Sequence, residues 1–406
     1  MIERIVIENF KSFKKVDLRL GRLNLFIGTN ASGKSNFFDA LRVLQGIGNG
    51  FSIHEILDGK PKSATSEVWE PIRGGSTRAT FSPGGEDQVT LFEVEGRFDA
   101  APRTAWNYRI GFLAREGRLC LERLLAGTEI YDSSPISNNP LDPVFEVRYY
   151  GGKKGRQPHL KFEKARPVLA QMARGGNGKW TKGHSDFAAR LAYALANMQR
   201  IDPSPTILRG YSLAHQIQRM GERGENFAAL VRTICADSTA KAAFVSWLKE
   251  HRPAEVDDVD TLSGAVGEPL FMLQEGGREF PAPVLSDGTL RFAAITAAFF
   301  QPDLPEILTI EEIENAVHAS RIRLLVELLR SQASQAKAQI MATTHSPIVL
   351  AWLKPDEYAA TFFCKRDEQT GESQVSALTE IPRFREIVQK QPISDLFAEG
   401  WMETAL

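Results

Sequence analysis

One eight-residue loop constrains this chain more than any other feature. The segment RLNLFIGTNASGKSNFFDALRVL sets an apolar run, Leu23 to Ile27, before GTNASGKS (Gly28 to Ser35), and a helix is expected from near Lys34. The loop fits G-x-x-x-x-G-K-[ST] in the strand–loop–helix setting that gives the pattern meaning. Its glycines let the backbone curl until several N–H groups point at phosphate oxygens. Lys34 is then placed to reach β- and γ-phosphates, and the Ser35 hydroxyl to bind Mg²⁺. GIGNG, Gly46 to Gly50, follows a helix instead of a strand, so it reads as a helix stop and not as a dinucleotide loop.

A second anion-binding candidate lies far downstream. In LSDGTLRF, Leu285 to Phe292, a Ser-Asp-Gly turn opens an apolar-periodic helix that ends before Pro302. Free N–H groups at such a helix start, with the Ser286 hydroxyl, suit an anion; an ordinary N-cap serine is the plainer reading. Next comes PEILTIEEIENAVH, a buried strand from Ile307 to Ile310 that runs into Glu311 and Glu312. In a nucleotidase one such acid holds the Mg²⁺ shell and the next orients or deprotonates the attacking water. Glu311 is assigned to the metal and Glu312 to the water, against the simpler alternative of acids ending a strand at solvent. After a helix expected over Ser320–Ser331, AQIMATTHSPIVL supplies a further strand ending at Thr344-His345. A histidine at the C-terminal edge of a parallel strand can bond a γ-phosphate and sense its loss.

Taken in order, the P-loop, SDG turn, acid pair and strand-end histidine resemble the ABC-type ATPases, and among them the RecF/SMC/OLD branch. IERIVIENFKSFKKVDLRLGRLNLFIGTNASGKSNFFDAL is similar to the opening of that branch, LSDGTLRF to its signature motif, and TIEEIEN with the later histidine to its Walker B, D-loop and switch histidine. The resemblance covers about 50 residues at the N-terminus and about 70 from Pro283 to Pro347. It implies an α/β fold: a P-loop ABC-type head with a mixed sheet, an antiparallel β-subdomain and an inserted helical lobe. It implies ATP and Mg²⁺ as cofactors, with Gly28, Thr29, Asn30, Ala31, Ser32, Gly33, Lys34, Ser35 and Asn36 around the nucleotide. It also implies a homodimer of ATP-bound heads, in which Ser286, Gly288 and the helix start at Thr289 cover the γ-phosphate held by the partner. There are departures. Glu311 stands where aspartate is commonest, and Ile313, Ala316 and Ala319 replace the frequent Pro, Gly and Pro of the D-loop. Gln199 is a weak candidate for a Q-loop, and GERGENFAALVRTI resembles the Asn-containing helix of small stand-alone ATPases of this branch.

The intervening sequence suits that frame. Residues 88–150 alternate apolar and polar in short runs, as antiparallel strands do, and residues 201–265 read as mainly helical. The expected division is an ATPase lobe with the β-subdomain over 1–200, a helical lobe over 201–282, and a return to the ATPase lobe over 283–406. No sustained heptads are present, which excludes a long coiled-coil arm. A net charge of -1 leaves any nucleic-acid surface to local features. One exists: from Lys153 to Lys182 nine Lys or Arg face a single acid, Glu163, with Trp180 as a stacking candidate. A solvated loop or a dock for an acidic partner is the alternative. Three scattered cysteines, an opening MIERIVIENF unlike a signal peptide and the absence of any long apolar run predict a cytoplasmic protein with no membrane contact. After His345 a hairpin and an apolar tail are expected, with no Asp-x-Asp metal pair and no appended nuclease domain. The tail residues Ile393, Leu396, Phe397 and Trp401 are expected to pack on their own core, with partner docking as the alternative. The function expected is an ATPase that regulates a separate effector, a nuclease or toxin as in phage defence; the alternative is a RecF-like DNA-repair ATPase.

Overall fold

The computed structural model describes residues 1–60, 69–81, 88–98, 104–133, 143–151, 157–175, 179–213, 215–251, 256–335 and 338–405. The chain divides into two compact units. The first holds Met1–Gly21, Gly28–Met198 and Phe362–Ala377. Its frame is an eight-stranded antiparallel sheet in the order Phe13–Arg19, Ile2–Phe10, Val89–Arg97, Ala105–Leu113, Arg118–Ala126, Thr128–Asp132, Val144–Tyr149, His159–Glu163. The period-two pattern has the expected result: Phe92, Val94, Tyr108, Ile110 and Phe112 are wholly buried. Phe92 makes an edge contact with Phe10 and stacks on Phe112. The helix Lys34–Gly48 packs on Lys182–Ala196 so closely that a Cβ on Gly48 would lie 2.4 Å from the Ala196 nitrogen.

A buried carboxylate pins this unit together. Glu122 Oε1 accepts from the Tyr108 and Tyr131 hydroxyls and from the Leu169 amide, and Oε2 accepts from the Val168 amide. Burial pushes its carboxyl up to about 7 despite those four bonds.

The second unit holds Arg22–Ile27, Gln199–Thr361 and Leu378–Leu406. Its centre is a parallel sheet of Ile307–Ile310, Gln339–Thr344 and Leu23–Ile27, flanked by Met198–Ile201. Nearly every residue of these strands is buried, and most are apolar, as suits parallel strands covered on both faces. The helix Asp287–Phe300 is buried on nearly every side, which explains its run of alanine and phenylalanine.

The predicted helical lobe is only partly helical. Phe227–Cys235 and Ser238–His251 are helices, but Val256–Ser263, Pro269–Glu275 and Arg278–Pro281 form a three-stranded antiparallel sheet. VDDVDTLS reads as an acidic run, yet Val256 and Val259 are its buried residues and pack the sheet face. Of the tail residues expected to pack inward, Ile393 and Leu396 are buried, while Phe397 and Trp401 are half-buried.

Candidate nucleotide site

The parallel register brings three strand ends to one edge. Ile27 pairs with Thr344, and Ile310 pairs with Ala342. Gly28, Glu311 and His345 follow covalently from Ile27, Ile310 and Thr344, so all three motifs leave the carboxyl edge of the sheet, where ligands of such folds bind.

The loop itself requires its glycines. Gly28 has φ +146° and Gly33 has φ +111°. A Cβ on Gly28 would stand 2.3 Å from the Cys364 carbonyl oxygen, and one on Gly33 would stand 2.7 Å from Ser373 Oγ. Ala31, also left-handed at φ 63°, is exposed with Thr29 and Asn30 along the outer turn of the loop. Lys34 Nζ lies back across the turn and donates to the carbonyls of Gly28 at 2.6 Å and Thr29 at 2.8 Å. Ser32 Oγ is buried without a hydrogen-bond partner. A curled loop with an unsatisfied buried hydroxyl, a convergent lysine and a 15-residue helix behind it fits the phosphates of a nucleotide. Ser35 is half-buried at the helix start, and Asn36 Nδ2 donates to Ser12 Oγ at 2.6 Å. Beyond Asn36 opens a cleft of about 630 Å³, walled by Lys11, Arg73, Arg78, Arg115 and Arg366. Asp39 is paired there with Lys11 and Arg73.

Glu311 is mostly buried and pairs with Arg200 at 3.2 Å. Glu312 is exposed, and its backbone takes a left-handed φ of +45°. Its amide donates to Thr343 Oγ1 at 2.9 Å. Arg291, 2% exposed, clamps the backbone of both acids: Nη2 donates to the Glu311 and Glu312 carbonyls, while Nη1 donates to Asp202 and to the Pro203 carbonyl. Among the described residues no group of three or more His, Cys, Asp or Glu is arranged to hold a metal. His345 is half-exposed, and Glu314 lies against it.

Ser286 is the N-cap of its helix: Oγ accepts from the Thr289 amide at 3.2 Å and lies 2.8 Å from Thr289 Oγ1. A Cβ on Gly288 would approach the Ala316 carbonyl oxygen to 2.6 Å. Ala316 keeps a left-handed backbone, φ 60°, although the glycine frequent at this place is absent. Ser286, Gly288, Ala316, His318 and Arg321 share one cleft of about 840 Å³.

Sequence reasoning passed over Arg291, Glu314 and the cationic cleft. Arg291 stood inside LSDGTLRF as one more polar residue of a helix, and only its burial marks it. Two other candidates turn inward. Gln199 donates to the Met220 carbonyl and accepts from Gln301, so its amide is spent in the core. Asn226 folds its own loop, accepting from the Gly221 amide and donating to the Arg219 carbonyl. In the basic segment, Lys153, Lys154 and Arg156 lie outside the described residues. Lys164 is buried, Arg166 pairs with Glu55, and Trp180 stacks on Phe162; Arg174, Lys179 and Lys182 are exposed.

Comparison with known proteins finds similarity in several parts of the chain. The family model described as "AAA domain, putative AbiEii toxin, Type IV TA system" matches residues 238–351, and the one described as "AAA ATPase domain" matches residues 1–63. An ATP/GTP phosphatase of Helicobacter pylori is 25% identical over 390 residues, spanning 91% of this chain and 94% of that protein. Among solved structures, an SMC head bound to the C-winged helix domain of ScpA superposes with a TM-score of 0.50 at 14% identity, over 92% of this chain and 96% of that one.

Proposed function

We propose that this chain is a P-loop ATPase of the ABC type, in the SMC/RecF class, and that it hydrolyses Mg²⁺-ATP at the sheet edge where the P-loop, the acid pair and His345 emerge. That shared edge is the observation that carries the reading. Lys34 and the amides from Thr29 to Ser35 hold the phosphates, and Asn36 borders the cleft that takes the rest of the nucleotide. Ser35 and Glu311 would hold Mg²⁺, which would supply positive charge beside the phosphates. Glu311 would then give up its pairing with Arg200. Water attacks the γ-phosphorus in line as the bond to the ADP oxygen breaks, and Glu312 takes the water's proton. His345 stands at the γ-phosphate end.

The biological reading is a homodimer closed around two nucleotides, with Ser286 and Gly288 of one chain covering the γ-phosphate held by the other. The cleft that joins the signature turn to Ala316 and His318 supports it, being walled by the start of the helix Asp287–Phe300. Closure and opening then control a separate toxin or nuclease in a defence system. The toxin–antitoxin wording of the family matched over residues 238–351 supports that role. A second reading, a RecF-like grip on nucleic acid, is supported by the five cations around the cleft beside Asn36.

The chemistry is tested by Glu312→Gln and Lys34→Ala. Glu312→Gln keeps ATP binding and slows hydrolysis by about 10²–10⁴; Lys34→Ala loses nucleotide affinity. Wild-type turnover in Glu312→Gln would remove Glu312 from the mechanism.

A further inference from the structure

A buried guanidinium with no part in the chemistry above ends on the backbone of the acid pair. Arg291, on the helix Asp287–Phe300, is 2% exposed. Its Nη1 donates to Asp202 Oδ1 at 2.9 Å and to the Pro203 carbonyl at 2.7 Å. That anchor fixes the direction of Nη2, because the guanidinium is a rigid plane. Nη2 in turn donates to the Glu311 carbonyl at 2.8 Å and to the Glu312 carbonyl at 3.2 Å. Successive residues of an extended strand face opposite sides, so two consecutive carbonyls do not meet one donor there. Glu312 meets the requirement by leaving the strand conformation, with φ +45°. A left-handed backbone is uncommon for a residue with a Cβ, and such strain persists only where the surroundings impose it. Both peptides that flank Glu312 are held. Its amide donates to Oγ1 of buried Thr343 at 2.9 Å, and its carbonyl accepts from Arg291 and from the Asn315 amide at 2.9 Å.

We propose that Arg291 is a positioning residue for Glu312: it holds the backbone of the acid left-handed and thereby aims the carboxylate at the attacking water. This role rests on the reading of Glu312 as the group that takes the water's proton. Glu312 is exposed, and the direction of its side chain is set from the backbone. Freed to an ordinary negative φ, it would carry the carboxylate elsewhere. A misplacement of about 1 Å costs about 10²-fold in rate. The phosphates are held by the loop Gly28–Ser35, so nucleotide affinity does not depend on this clamp.

The experiment is steady-state ATP hydrolysis by the full chain, with kcat and KM read separately, for Arg291→Lys, Glu312→Gln and the double variant. Lysine keeps the charge but lacks the fork, so it cannot span Asp202 and both carbonyls. Arg291→Lys should lower kcat about 10–100-fold with KM for ATP little changed. In the Glu312→Gln background the same change should cost less than about twofold, because the group being aimed is already lost. Thr343→Val takes its place if the Arg291→Lys chain does not fold. It frees the other peptide of Glu312 and should lower kcat about 3–10-fold, the worth of one hydrogen bond, and again only where Glu312 is present. Wild-type kcat in folded Arg291→Lys, or in Thr343→Val where that stands in for it, overturns the proposal. An equal loss in the Glu312→Gln background also overturns it, since that marks a merely structural clamp. Wild-type turnover in Glu312→Gln alone overturns the choice of Glu312 as base, and the role of Arg291 with it.

Discussion

The contact between Gly288 and Ala316 sets two effects of known size against each other. Gly288 lies in the first turn of the helix Asp287–Phe300, where glycine is a poor helix former. If the site were open, Gly288→Ala would stabilise the chain by up to about 1 kcal/mol. It is not open: the new methyl would stand 2.6 Å from the Ala316 carbonyl oxygen, against an ordinary contact of 3.4 Å or more. Backbone must therefore retreat by about 0.8 Å, and overpacking of that kind costs about 1–3 kcal/mol. The carbonyl cannot retreat cheaply, because Ala316 is already left-handed at φ 60°. Net destabilisation of about 1 kcal/mol is expected. Ala316→Gly removes the left-handed strain and should stabilise by about 0.5–1 kcal/mol. With that backbone freed, Gly288→Ala should cost less, giving a coupling of at least about 0.5 kcal/mol. Urea unfolding of the four proteins measures this as shifts in midpoint at constant slope. A Gly288→Ala protein more stable than wild type, or one equally destabilised in both backgrounds, would refute the reasoning.

Three further outcomes are expected. Mixing Ser286→Arg with Lys34→Ala should hydrolyse ATP faster than either parent, since each heterodimer rebuilds one good loop against one good lid; with subunit exchange shown by two-tag co-purification, no gain would count against action across a dimer. Glu122 should make the fold less stable as pH rises: its native carboxyl is raised from 4.5 to about 7, so the folded state binds more protons between those values. That contribution is complete below pH 4.5 and is lost through pH 7, by about 3 kcal/mol in all; denaturant midpoints of wild type and Glu122→Gln that fall in parallel over this range would disprove it. If the cationic cleft grips nucleic acid, charge reversal of Arg78 and Arg366 should weaken binding at every sequence and flatten its salt dependence, and an unmodified protein that binds neither DNA nor RNA at low salt removes the second reading.

Local sequence decided the elements that carry the site. GTNASGKS needs only its two glycines, its lysine and the apolar run before it to specify a strand, a curled loop and a helix start. ILTI and the IMA of QIMATT are short, largely apolar runs that the fold buries throughout, so the acid pair and the histidine were readable as strand ends. Period-two runs likewise announced the antiparallel sheet. The β-strands from Val256 to Pro281 were hidden because their acidic residues drew attention to charge, while the buried valines that set the period are few. What tertiary structure alone decided is partnership. Arg291 reads as a surface residue of a helix until the fold buries it against the carbonyls of Glu311 and Glu312. Glu314 reads as one more acid until His345, 31 residues on, is brought to its Oε1. Glu122 is one charged residue in an alternating strand until two tyrosines and two amides close over it. Hydrophobic period and turn chemistry act between near neighbours in the chain, so sequence records them. A hydrogen bond across distant segments exists only once the sheet register has set its two ends at bonding distance.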